Sequence, residues 1–594
     1  MIRVSDYIMD QLWNNGVKHI FMVTGRGALF LTDAVAAHKE LKGISVHHEQ
    51  TAAFASVAYA DYNEKLGACL VSTGCAGTNT ITGLLNAWQD GIPCVFISGQ
   101  NKLAETSYFT GIPIRTYGQQ EANLIPVVKT ITKYSVMITD ANDVAYEFEK
   151  ALYLAQNGRK GPVWIDIPLD VQNKRIDPNG LKHYKPNKKP FLKASKNDIK
   201  YVIDSIDKAE RPTILIGSGI RAANAINELE ALIKMSCIPV TYANSAPDTY
   251  SIENPLSIGS VGIMGSTRAG NFAVQNSDLL IVLGCRLTTM TTGEDCQKFA
   301  REAKVIVVDI DPIEHSKDGI RIDRLVISDL SIFLLSLIKE KIKKTNLTWQ
   351  NKCLHWKKTF PRCEEIYKKS KKVDLYQLAE SLSDALPDNS IFLSDSGLIE
   401  LILPTNIGFK KNQRCIHPSS QGSMGFALPA LVGAHYASKR PLITVIGDGS
   451  IMMNLQELET IRYNDIPAKI FILNNNVYAV IRKRQVDLFR SRTIGVDPSD
   501  GISSPNFKKV ANAFDLPYAK IKTSNNLKNK LKDIINFDGA VICEIMGKED
   551  QDYITTSYAK NSKRRIVQRP LEDQAPFIDR SIFLSEMIIE PIDQ

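Results

Sequence analysis

The 594-residue sequence lacks the features that mark several large classes of protein. It has no run of about 18 apolar residues, so a membrane-spanning helix is not expected, and its first residues do not follow the basic-then-apolar order of a signal peptide. Its 10 cysteines form no regular framework and no paired Cys-x-x-Cys sets, which predicts reduced, mostly buried thiols. These absences predict a cytoplasmic protein without a membrane partner.

The basic residues are in modest excess, and aromatic side chains are not interleaved with them. The net charge is +8, and Lys-rich stretches at 182–200, 339–344 and 368–372 carry much of the excess. Such stretches are typical of solvated linkers, whereas base stacking needs aromatic side chains between the cations. We therefore expect no nucleic-acid partner, while attraction of an acidic substrate stays open.

An alternation of strand-like and helix-like segments predicts an α/β protein with three doubly wound domains and mainly parallel sheets. The chain length agrees with about three domains of typical size, and the sequence shows no internal repeat. The predicted domains are 1–172, 198–340 and 375–547, with linkers at 173–197 and 341–374 and a C-terminal tail or lid at 548–594.

The turn Gly447-Asp448-Gly449-Ser450 is the most informative local feature. Residues 441–446 predict a buried strand that ends at this turn, residues 452–464 predict the helix that follows, and Asn475 lies 27 positions after Asp448. Carboxylate and amide oxygens at neighbouring strand ends suit Mg²⁺, and N–H groups at a helix start suit phosphate. A lone Gly-Asp-Gly is an ordinary turn. With Asn475 at this spacing, it predicts a magnesium-diphosphate site.

A second chemistry-bearing group, His47-His48-Glu49-Gln50, lies far away in the sequence, after the predicted strand 43–46. The small residues of 51–60 predict a helix that packs closely against its neighbours. A partly desolvated Glu exchanges protons near neutral pH. The alternative is a carboxylate that only stabilises a helix N-terminus. The distant diphosphate motif favours a catalytic Glu49.

Taken in order, these motifs resemble the acetolactate synthase group of thiamine-diphosphate enzymes, and the resemblance runs through almost the whole chain. The other motifs that carry it are Ser72-Thr73-Gly74, Gly77-Thr78-Asn79, Gly99-Gln100, Gly161-Pro162-Val163, Asp166-Ile167-Pro168 and Gly422-Ser423-Met424-Gly425-Phe426-Ala427-Leu428-Pro429. The resemblance implies a pyrimidine-binding first domain, a central domain similar to FAD- or nucleotide-binding domains, and a diphosphate-binding third domain.

The resemblance implies thiamine diphosphate and Mg²⁺ as cofactors. Glu49 would exchange a proton with the aminopyrimidine ring, and Met424 would bend the cofactor, with core filling as the alternative for this methionine. Gln120, also taken as catalytic, and Gln119 would line the substrate side. The metal ligands would be Asp448, Asn475 and the backbone carbonyl of Val477. The other residues predicted to bind the cofactor are Gly25, Thr73, Asn79, Gly422, Gly447, Gly449 and Ser450.

The resemblance also implies FAD, in a structural rather than a redox role. The residues that match flavin-binding positions are Arg159, Gly217, Gly219, Gly265, Arg286 and Asp309. Without the resemblance this signal is weak, because the turn after residues 213–216 lacks a complete Gly-x-Gly-x-x-Gly. The segment Leu287-Thr288-Thr289-Met290 also departs from the Phe-Asp-Asp-Arg of the resembled family. An empty or differently occupied central domain is the alternative.

Arg484 stands where the resembled synthases carry a tryptophan that favours 2-ketobutyrate as acceptor. A guanidinium pairs with phosphate or carboxylate through two hydrogen bonds, so Arg484 predicts a charged acceptor. A solvated helix face is the alternative. Leu169 and Leu398-Ile399 also depart from the family. The tail at 570–577 resembles tails of flavoenzymes in surface-polysaccharide pathways, which suggests a nucleotide-linked keto sugar as acceptor.

The sequence therefore predicts a carboligase that decarboxylates a 2-keto acid, with pyruvate as the expected donor, and transfers a two-carbon unit to a carbonyl acceptor. The alternatives are an acetolactate synthase, a 2-keto acid decarboxylase or oxidase, and a catalytically silent regulatory subunit. The presence of Glu49 and Asp448 argues against the last. The resemblance implies a homodimer or a dimer of dimers with active sites at the subunit interface.

Overall fold

The computed structural model describes residues 1–186, 192–561 and 564–592. Within these residues the chain forms three six-stranded sheets, and every pair of neighbouring strands in them is parallel. Helices connect the strands, which confirms the predicted α/β class with three domains and mainly parallel sheets. Residues 187–191 of the predicted linker 173–197, including Pro190, lie outside the described residues.

The first domain is built on a sheet whose central strands are buried at every position, as expected for a parallel sheet covered on both faces. Its strands are β1 (Ile2–Arg3), β2 (His19–Met22), β3 (Lys42–Ser45), β4 (Gly67–Val71), β5 (Cys94–Gln100), β6 (Tyr134–Met137), β7 (Val163–Pro168) and β8 (Arg175–Ile176). Its helices are α1 (Val4–Asn14), α2 (Leu29–Ala37), α3 (Glu49–Asn63), α4 (Cys75–Asn79), α5 (Ile81–Asp90), α6 (Ser107–Thr110), α7 (Ile125–Val128), α8 (Val144–Gln156) and α9 (Leu169–Gln172). The six-stranded sheet has the order β3-β2-β4-β5-β7-β6.

The central domain has a different strand order. Its strands are β9 (Pro212–Ile216), β10 (Val240–Tyr242), β11 (Ser257–Ser260), β12 (Leu279–Leu283), β13 (Lys304–Asp309) and β14 (Arg324–Ile327). Its helices are α10 (Lys196–Lys208), α11 (Gly219–Ala222), α12 (Ile226–Ser236), α13 (Arg268–Gln275), α14 (Thr289–Thr292), α15 (Leu330–Leu337) and α16 (Leu347–Thr359). The order β11-β10-β9-β12-β13-β14 reverses between β9 and β12, where sheets of this type bind ligands.

The third domain repeats the strand order of the first, β16-β15-β17-β18-β20-β19, although the two sequences show no repeat. Its strands are β15 (Ile391–Ser394), β16 (Arg414–Ile416), β17 (Leu442–Gly447), β18 (Ala468–Asn474), β19 (Tyr518–Ile521) and β20 (Val541–Met546). Its helices are α17 (Leu375–Ala385), α18 (Leu398–Asn406), α19 (Ala427–Ala437), α20 (Glu457–Tyr463), α21 (Ala479–Leu488), α22 (Phe507–Ala513) and α23 (Leu527–Ile535).

The predicted linker 341–374 and the tail contact the central domain, whereas β8, in the predicted linker 173–197, pairs with β1 of the first domain. Helix α16 lies in the predicted linker 341–374, and the buried Trp349 donates its ring N–H to the carbonyl of Pro212 at 2.8 Å. The tail contains β21 (Tyr558–Lys560), β22 (Ile566–Gln568) and α24 (Arg580–Glu586). The buried Gln574 accepts a hydrogen bond from Asn271 at 2.8 Å, which ties the tail to α13. Movement of the tail as a lid stays a prediction.

The first and third domains meet along α3 and α19. Both helices are rich in small residues, and a Cβ at Gly433 would lie 2.1 Å from the carbonyl oxygen of Ala55, so the helices cross in close contact. Near the start of α19, Phe54 and Phe426 form an edge-to-face pair with centroids 5.3 Å apart. This crossing places the first turn of α3, which contains Glu49, beside the segment that precedes α19, which contains Met424.

The helix predicted at 452–464 differs from the structure. A 3₁₀ turn spans Ser450–Met453, and α20 begins only at Glu457. The break lies at Asn454, whose side-chain amide donates to the carbonyl of Gly425 and to the side chain of Gln50, both at 2.9 Å. These contacts to distant segments hold Asn454 in a non-helical conformation with φ of −137° and ψ of 35°, which ends the turn.

Candidate active site

The third domain brings the predicted metal ligands to one edge of its sheet. Asp448 follows β17 and Asn475 follows β18, and these two parallel strands are neighbours with Gly447 paired to Leu473. The amide N–H of Asp448 donates to the carbonyl of Leu473 at 3.1 Å, which holds the two strand ends together. Asn474 is turned away, because its side chain donates to Glu544 at 2.7 Å in the interior. Asn475 is therefore the residue of the pair that stays at the strand edge, where its Oδ1 accepts a hydrogen bond from the N–H of Val477 at 3.3 Å.

The carboxylate of Asp448 is buried and oriented by its neighbours. Its Oδ2 accepts hydrogen bonds from the backbone N–H of Asn476 at 2.8 Å and from the hydroxyl of Ser504 at 2.5 Å, and its Oδ1 accepts from Gly449 at 3.0 Å. Burial raises the pKa of Asp448, although these hydrogen bonds lower it in part. A buried, pre-oriented carboxylate beside an amide oxygen is a donor set that fits Mg²⁺.

Two residues of this region were missed by sequence reasoning. Ser504 comes from a loop 56 positions after Asp448, and nothing in the sequence connects the two. The buried Asp395, which follows β15, accepts hydrogen bonds from the N–H groups of Ser396, Gly425 and Ala427 at 2.8–3.1 Å. Asp395 thereby fixes the segment around Met424. A carboxylate at the carboxyl end of a predicted strand was the available signal for it.

Glu49 lies in the first turn of α3 and is held by one side chain. The Asn79 amide donates to Oε2 of Glu49 at 2.9 Å, and within the described residues Oε1 has no hydrogen-bond partner. Asn79 ends α4, which begins just after the Thr73-Gly74 loop. Thr73 itself is buried and donates to Gln100 at 2.6 Å, so its role here is to fix the loop.

Gln120 reaches the same loop from a different segment. Its backbone is in the left-handed region with φ of 59°, and a Cβ at Gly74 would lie 2.0 Å from its carbonyl oxygen. The structure therefore brings Gln120 to the loop that precedes α4, whose Asn79 donates to Glu49. Gln119 is also exposed and accepts a hydrogen bond from Arg26 at 2.9 Å. The nearby Gly25 packs on Ser72, because a Cβ there would lie 2.5 Å from the Cβ of Ser72.

Unpartnered polar atoms surround the predicted cofactor position. The hydroxyl of Ser423, the Oε1 of Gln421 and the Nδ1 of His48 are buried without hydrogen-bond partners, and they flank Met424 and Glu49 in the sequence. Gly422 has φ of +60°, and a Cβ there would meet no atom within 4 Å. Buried polar atoms are normally satisfied. The open space at Gly422 and these unpartnered polar atoms fit a polar ligand beside the Met424 segment.

Direct contacts join the segment that contains Glu49 to the third domain. Asn454 donates to Gln50 at 2.9 Å, and the backbone N–H of His47 donates to Glu457 at 3.2 Å. Among the described residues, no cluster of three or more His, Cys, Asp or Glu side chains could hold a metal ion. The candidate magnesium site differs from such a cluster, since it combines one carboxylate with an amide oxygen and the predicted carbonyl of the buried Val477.

The residues predicted to bind FAD do not fit a flavin in this structure. Gly217 and Gly219 are closed against β12, because their N–H groups donate to the carbonyls of Leu283 and Gly284, each at 3.0 Å. A Cβ at Gly265 would lie 2.2 Å from the carbonyl of Leu401. These glycines permit close packing of the backbone and leave no cradle for a diphosphate.

The charged residues of the predicted flavin site also have hydrogen-bond or ion-pair partners within the protein. Arg159 pairs with Asp311 at 3.0 Å and with Glu314 at 2.6 Å. Asp309 accepts from the N–H of Asp311 at 3.0 Å and contacts the ring of His315 at 3.1 Å, so it caps its own turn. Arg286 donates to the carbonyl of Gln89 at 2.8 Å and to the hydroxyl of Ser420. These two hydrogen bonds join the central domain to the first and third domains.

Arg484 lies on the exposed face of α21. Its closest described polar contact is the sulfur of Met264 at 3.9 Å, and among the described residues it has no carboxylate partner. Its neighbour Arg482 differs, because it pairs with Asp497 at 3.5 Å. Of the other departures from the resembled family, Leu398 and Ile399 are buried, and Ile399 lies against Gly447 at the metal-binding edge.

Comparisons with known proteins agree with this geometry. The family models for the N-terminal TPP-binding, central and C-terminal TPP-binding domains of thiamine pyrophosphate enzymes match residues 2–126, 199–337 and 395–545. These three matches, over domains that each contain a parallel six-stranded sheet, define a thiamine-diphosphate enzyme. The relatives narrow the class further.

The chain is similar to the acetolactate synthase large subunit of Porphyra purpurea, at 30% identity over 593 residues that cover 97% of each chain. The large subunit of Cyanidium caldarium is 32% identical over 554 residues, which cover 90% of this chain and 92% of the relative. A probable large subunit of Methanocaldococcus jannaschii is 32% identical over 551 residues, with 90% of each chain covered. The chain belongs to the acetolactate synthase-like family of thiamine-diphosphate-dependent transferases.

The length and apolar character of the helices bear on the prediction that the chain has no membrane-spanning helix. No helix of the described residues has the length and apolar character needed to span a membrane. The predicted cytoplasmic location stays a prediction, because the family includes a relative from Arabidopsis thaliana that is named as chloroplastic.

Proposed function

We propose that this enzyme decarboxylates a 2-keto acid, with pyruvate as donor, and transfers the two-carbon unit to a second 2-keto acid, as an acetolactate synthase does. Full-length similarity to acetolactate synthase large subunits supports this acceptor over the nucleotide-linked sugar that the sequence suggested. The proposal is supported by two observations on the structure, a Glu49 carboxylate oriented by Asn79 in the first domain and the Asp448–Asn475 strand edge in the third.

Glu49 is the residue to which we assign proton exchange. Thiamine diphosphate, when bound, supplies the carbon nucleophile and the electron sink that decarboxylation needs. Asn79 occupies Oε2 of Glu49, so Oε1 is the atom left to give and take the proton of the aminopyrimidine ring. The exposed Gln120 borders this position from the substrate side.

The third domain supplies binding and orientation. Asp448, Asn475 and the carbonyl of Val477 would hold Mg²⁺ against the diphosphate, and Gly447, Gly449 and Ser450 form the turn beside it. Asp395 holds the backbone N–H of Gly425 at 3.1 Å, which positions the adjacent Met424 as an apolar support for the cofactor. FAD takes no part in this proposal because its predicted residues do not fit.

Product analysis of the purified enzyme with thiamine diphosphate, Mg²⁺ and labelled pyruvate tests the proposal. We expect labelled acetolactate and carbon dioxide in equal amounts. Acetaldehyde as the main product would assign a simple decarboxylase, and acetate formed with uptake of oxygen would assign an oxidase. No turnover with any 2-keto acid, despite bound cofactor, would indicate a silent regulatory subunit and refute the proposal.

A second candidate function has one specific observation in its favour. Arg484 is exposed and without a carboxylate partner among the described residues, at the place where the resembled synthases carry an apolar ring. A free guanidinium attracts an anionic acceptor, such as a nucleotide-linked keto sugar. A panel of such sugars in the same assay distinguishes the two candidates, since only the second predicts a two-carbon mass gain on the sugar nucleotide.

We also propose that the enzyme works as a homodimer or a dimer of dimers with shared active sites. In support, the segment before Gln120 exposes apolar side chains that an interface would cover, namely Tyr108, Phe109, Ile112 and Tyr117, each at least 55% exposed.

Mixing two inactive variants tests this arrangement. When Glu49→Gln and Asp448→Asn chains are unfolded and refolded together, a shared site restores one intact site in each mixed dimer, which gives about a quarter of the wild-type activity. If both residues act within one chain, the mixture stays inactive. Each variant refolded alone is the control.

A further inference from the structure

The junction of the three domains lies beside the turn that the resemblance assigns to FAD. A cavity of about 70 Å³ opens there, lined by residues of all three domains, including Ser218 of the Gly217–Gly219 turn and Lys160, next to Arg159. Sites for ligands of drug size or larger have volumes of roughly 300–1,000 Å³. The space at this junction holds a few water molecules and not a flavin.

A network of buried charges centred on Arg414 occupies the junction. Arg414 of β16 pairs with Asp248 of the central domain at 2.8 Å, and its second terminal nitrogen donates to the backbone carbonyl of Asp61, at the end of α3, at 2.7 Å. Asp248 also pairs with Arg221 at 3.0 Å, and Glu64 lies 3.6 Å from Arg414. One guanidinium therefore contacts the first, central and third domains together.

The charges of this network are matched to one another. Burial raises the pKa of Asp248, but Arg221 and Arg414 outweigh it and hold that pKa at about 2. The carboxyls of Asp61 and Glu64 also line the cavity, where burial raises the pKa of both. The arginines that would attract a diphosphate are already paired.

We propose that this chain works without FAD, and that the Arg414 network links the three domains beside the Gly217–Gly219 turn. Closed glycine turns, a doubly paired Arg159 and a capped Asp309 are three observations on this chain that support the first half. The contacts of Arg414 with Asp248 and Asp61 support the second half.

Flavin content and FAD binding test the first half of the proposal. Protein is produced in cells supplied with excess riboflavin, and the flavin released by denaturation is measured by fluorescence, with a flavoprotein processed in parallel as the positive control. The purified protein is also titrated with FAD and with thiamine diphosphate in separate calorimetric experiments. We expect no flavin band, no FAD binding and saturable binding of thiamine diphosphate. Flavin at one molecule per chain, or saturable FAD binding, would overturn the proposal.

Substitution of Arg414 tests the second half. We expect Arg414→Met to lower the midpoint of thermal unfolding by several degrees, with no recovery on addition of FAD, because Asp248 and Asp61 lose their shared partner. Arg462→Met is the matched control, since Arg462 is exposed and, among the residues that the structure describes, pairs only with Glu459 on the same helix. If Arg414→Met and Arg462→Met unfold alike, the network is not the link between the domains. If Arg414→Met does not fold, Arg414→Lys, which keeps the charge but loses the planar fork, must unfold earlier than wild type.

Discussion

Replacing Glu49 by glutamine separates proton exchange from cofactor binding. The side chains have the same shape, and the carbonyl oxygen of a glutamine at this position still accepts the hydrogen bond that Asn79 donates to Oε2 at 2.9 Å. Only the charge and the exchangeable proton are lost. A positioned acid–base group contributes about 10²- to 10⁴-fold to a rate, so we expect kcat to fall by that factor, which corresponds to about 3–5 kcal/mol of transition-state stabilisation.

Binding should change far less than turnover. Loss of the charge-assisted part of one hydrogen bond costs about 1 kcal/mol, so we expect the affinity for thiamine diphosphate to change by about fivefold or less. The assay is steady-state release of carbon dioxide from labelled pyruvate, combined with calorimetric titration of the cofactor. Glu40→Gln is the matched control, because Glu40 is exposed in the same domain and the substitution removes the same charge.

Two results would refute the reasoning for Glu49. Turnover within a few-fold of wild type would show that another group exchanges the proton. Loss of cofactor binding equal to the loss of turnover would show that Glu49 acts in binding alone. Asn79→Ala separates positioning from proton exchange, since it removes the hydrogen bond to a charged group and leaves the carboxylate. We expect a loss of about 10-fold or more in kcat for that variant.

Four further predictions follow from the contacts described above. Arg414→Met should lower the free energy of unfolding by about 3–5 kcal/mol in urea titrations, because buried carboxylates lose their partner; a loss no larger than that of an exposed arginine would contradict this. Asp395→Asn should weaken thiamine-diphosphate binding in calorimetry, since an amide accepts fewer of the three backbone N–H groups; unchanged affinity would remove its positioning role. Arg484→Trp should shift the acceptor profile toward small 2-keto acids, and an unchanged profile would remove the argument for a charged acceptor. Burial raises the pKa of Asp166 to about 7, above its unfolded value of 3.8. The contribution of Asp166 to the free energy of unfolding is therefore complete below pH 3.8 and is lost as the pH rises to 7. Asp166→Asn should flatten this dependence of the free energy of unfolding on pH.

Local patterns in the sequence were sufficient to place the candidate metal ligands Asp448 and Asn475 at one sheet edge. Residues 441–446 predicted a strand, and the structure has β17 at Leu442–Gly447. Because consecutive parallel strands place their carboxyl ends at one edge, the 27-residue spacing was enough to bring Asp448 and Asn475 together. The choice of carboxylate and amide is local chemistry, and it needs no knowledge of distant residues.

Where distant residues decide the outcome, local patterns were not sufficient. The helix expected at 452–464 breaks at Asn454 because that side chain bonds to Gly425 and Gln50. Ser504 and Asp395 escaped notice because their roles depend on which loops fold against β15 and β17. A sequence shows what a residue is able to bind, and it does not show which segment arrives beside it.

The sequence by itself determined the three α/β domains, the family and the residue types of the thiamine-diphosphate site, because periodicity, strand-end turns and motif order are properties of short segments. Only the tertiary structure decided that Arg159 is engaged by Asp311 and Glu314 and that Arg414 joins three domains. The physical reason is that these charge pairs form between segments more than a hundred residues apart in the chain, and no local pattern shows which segments meet.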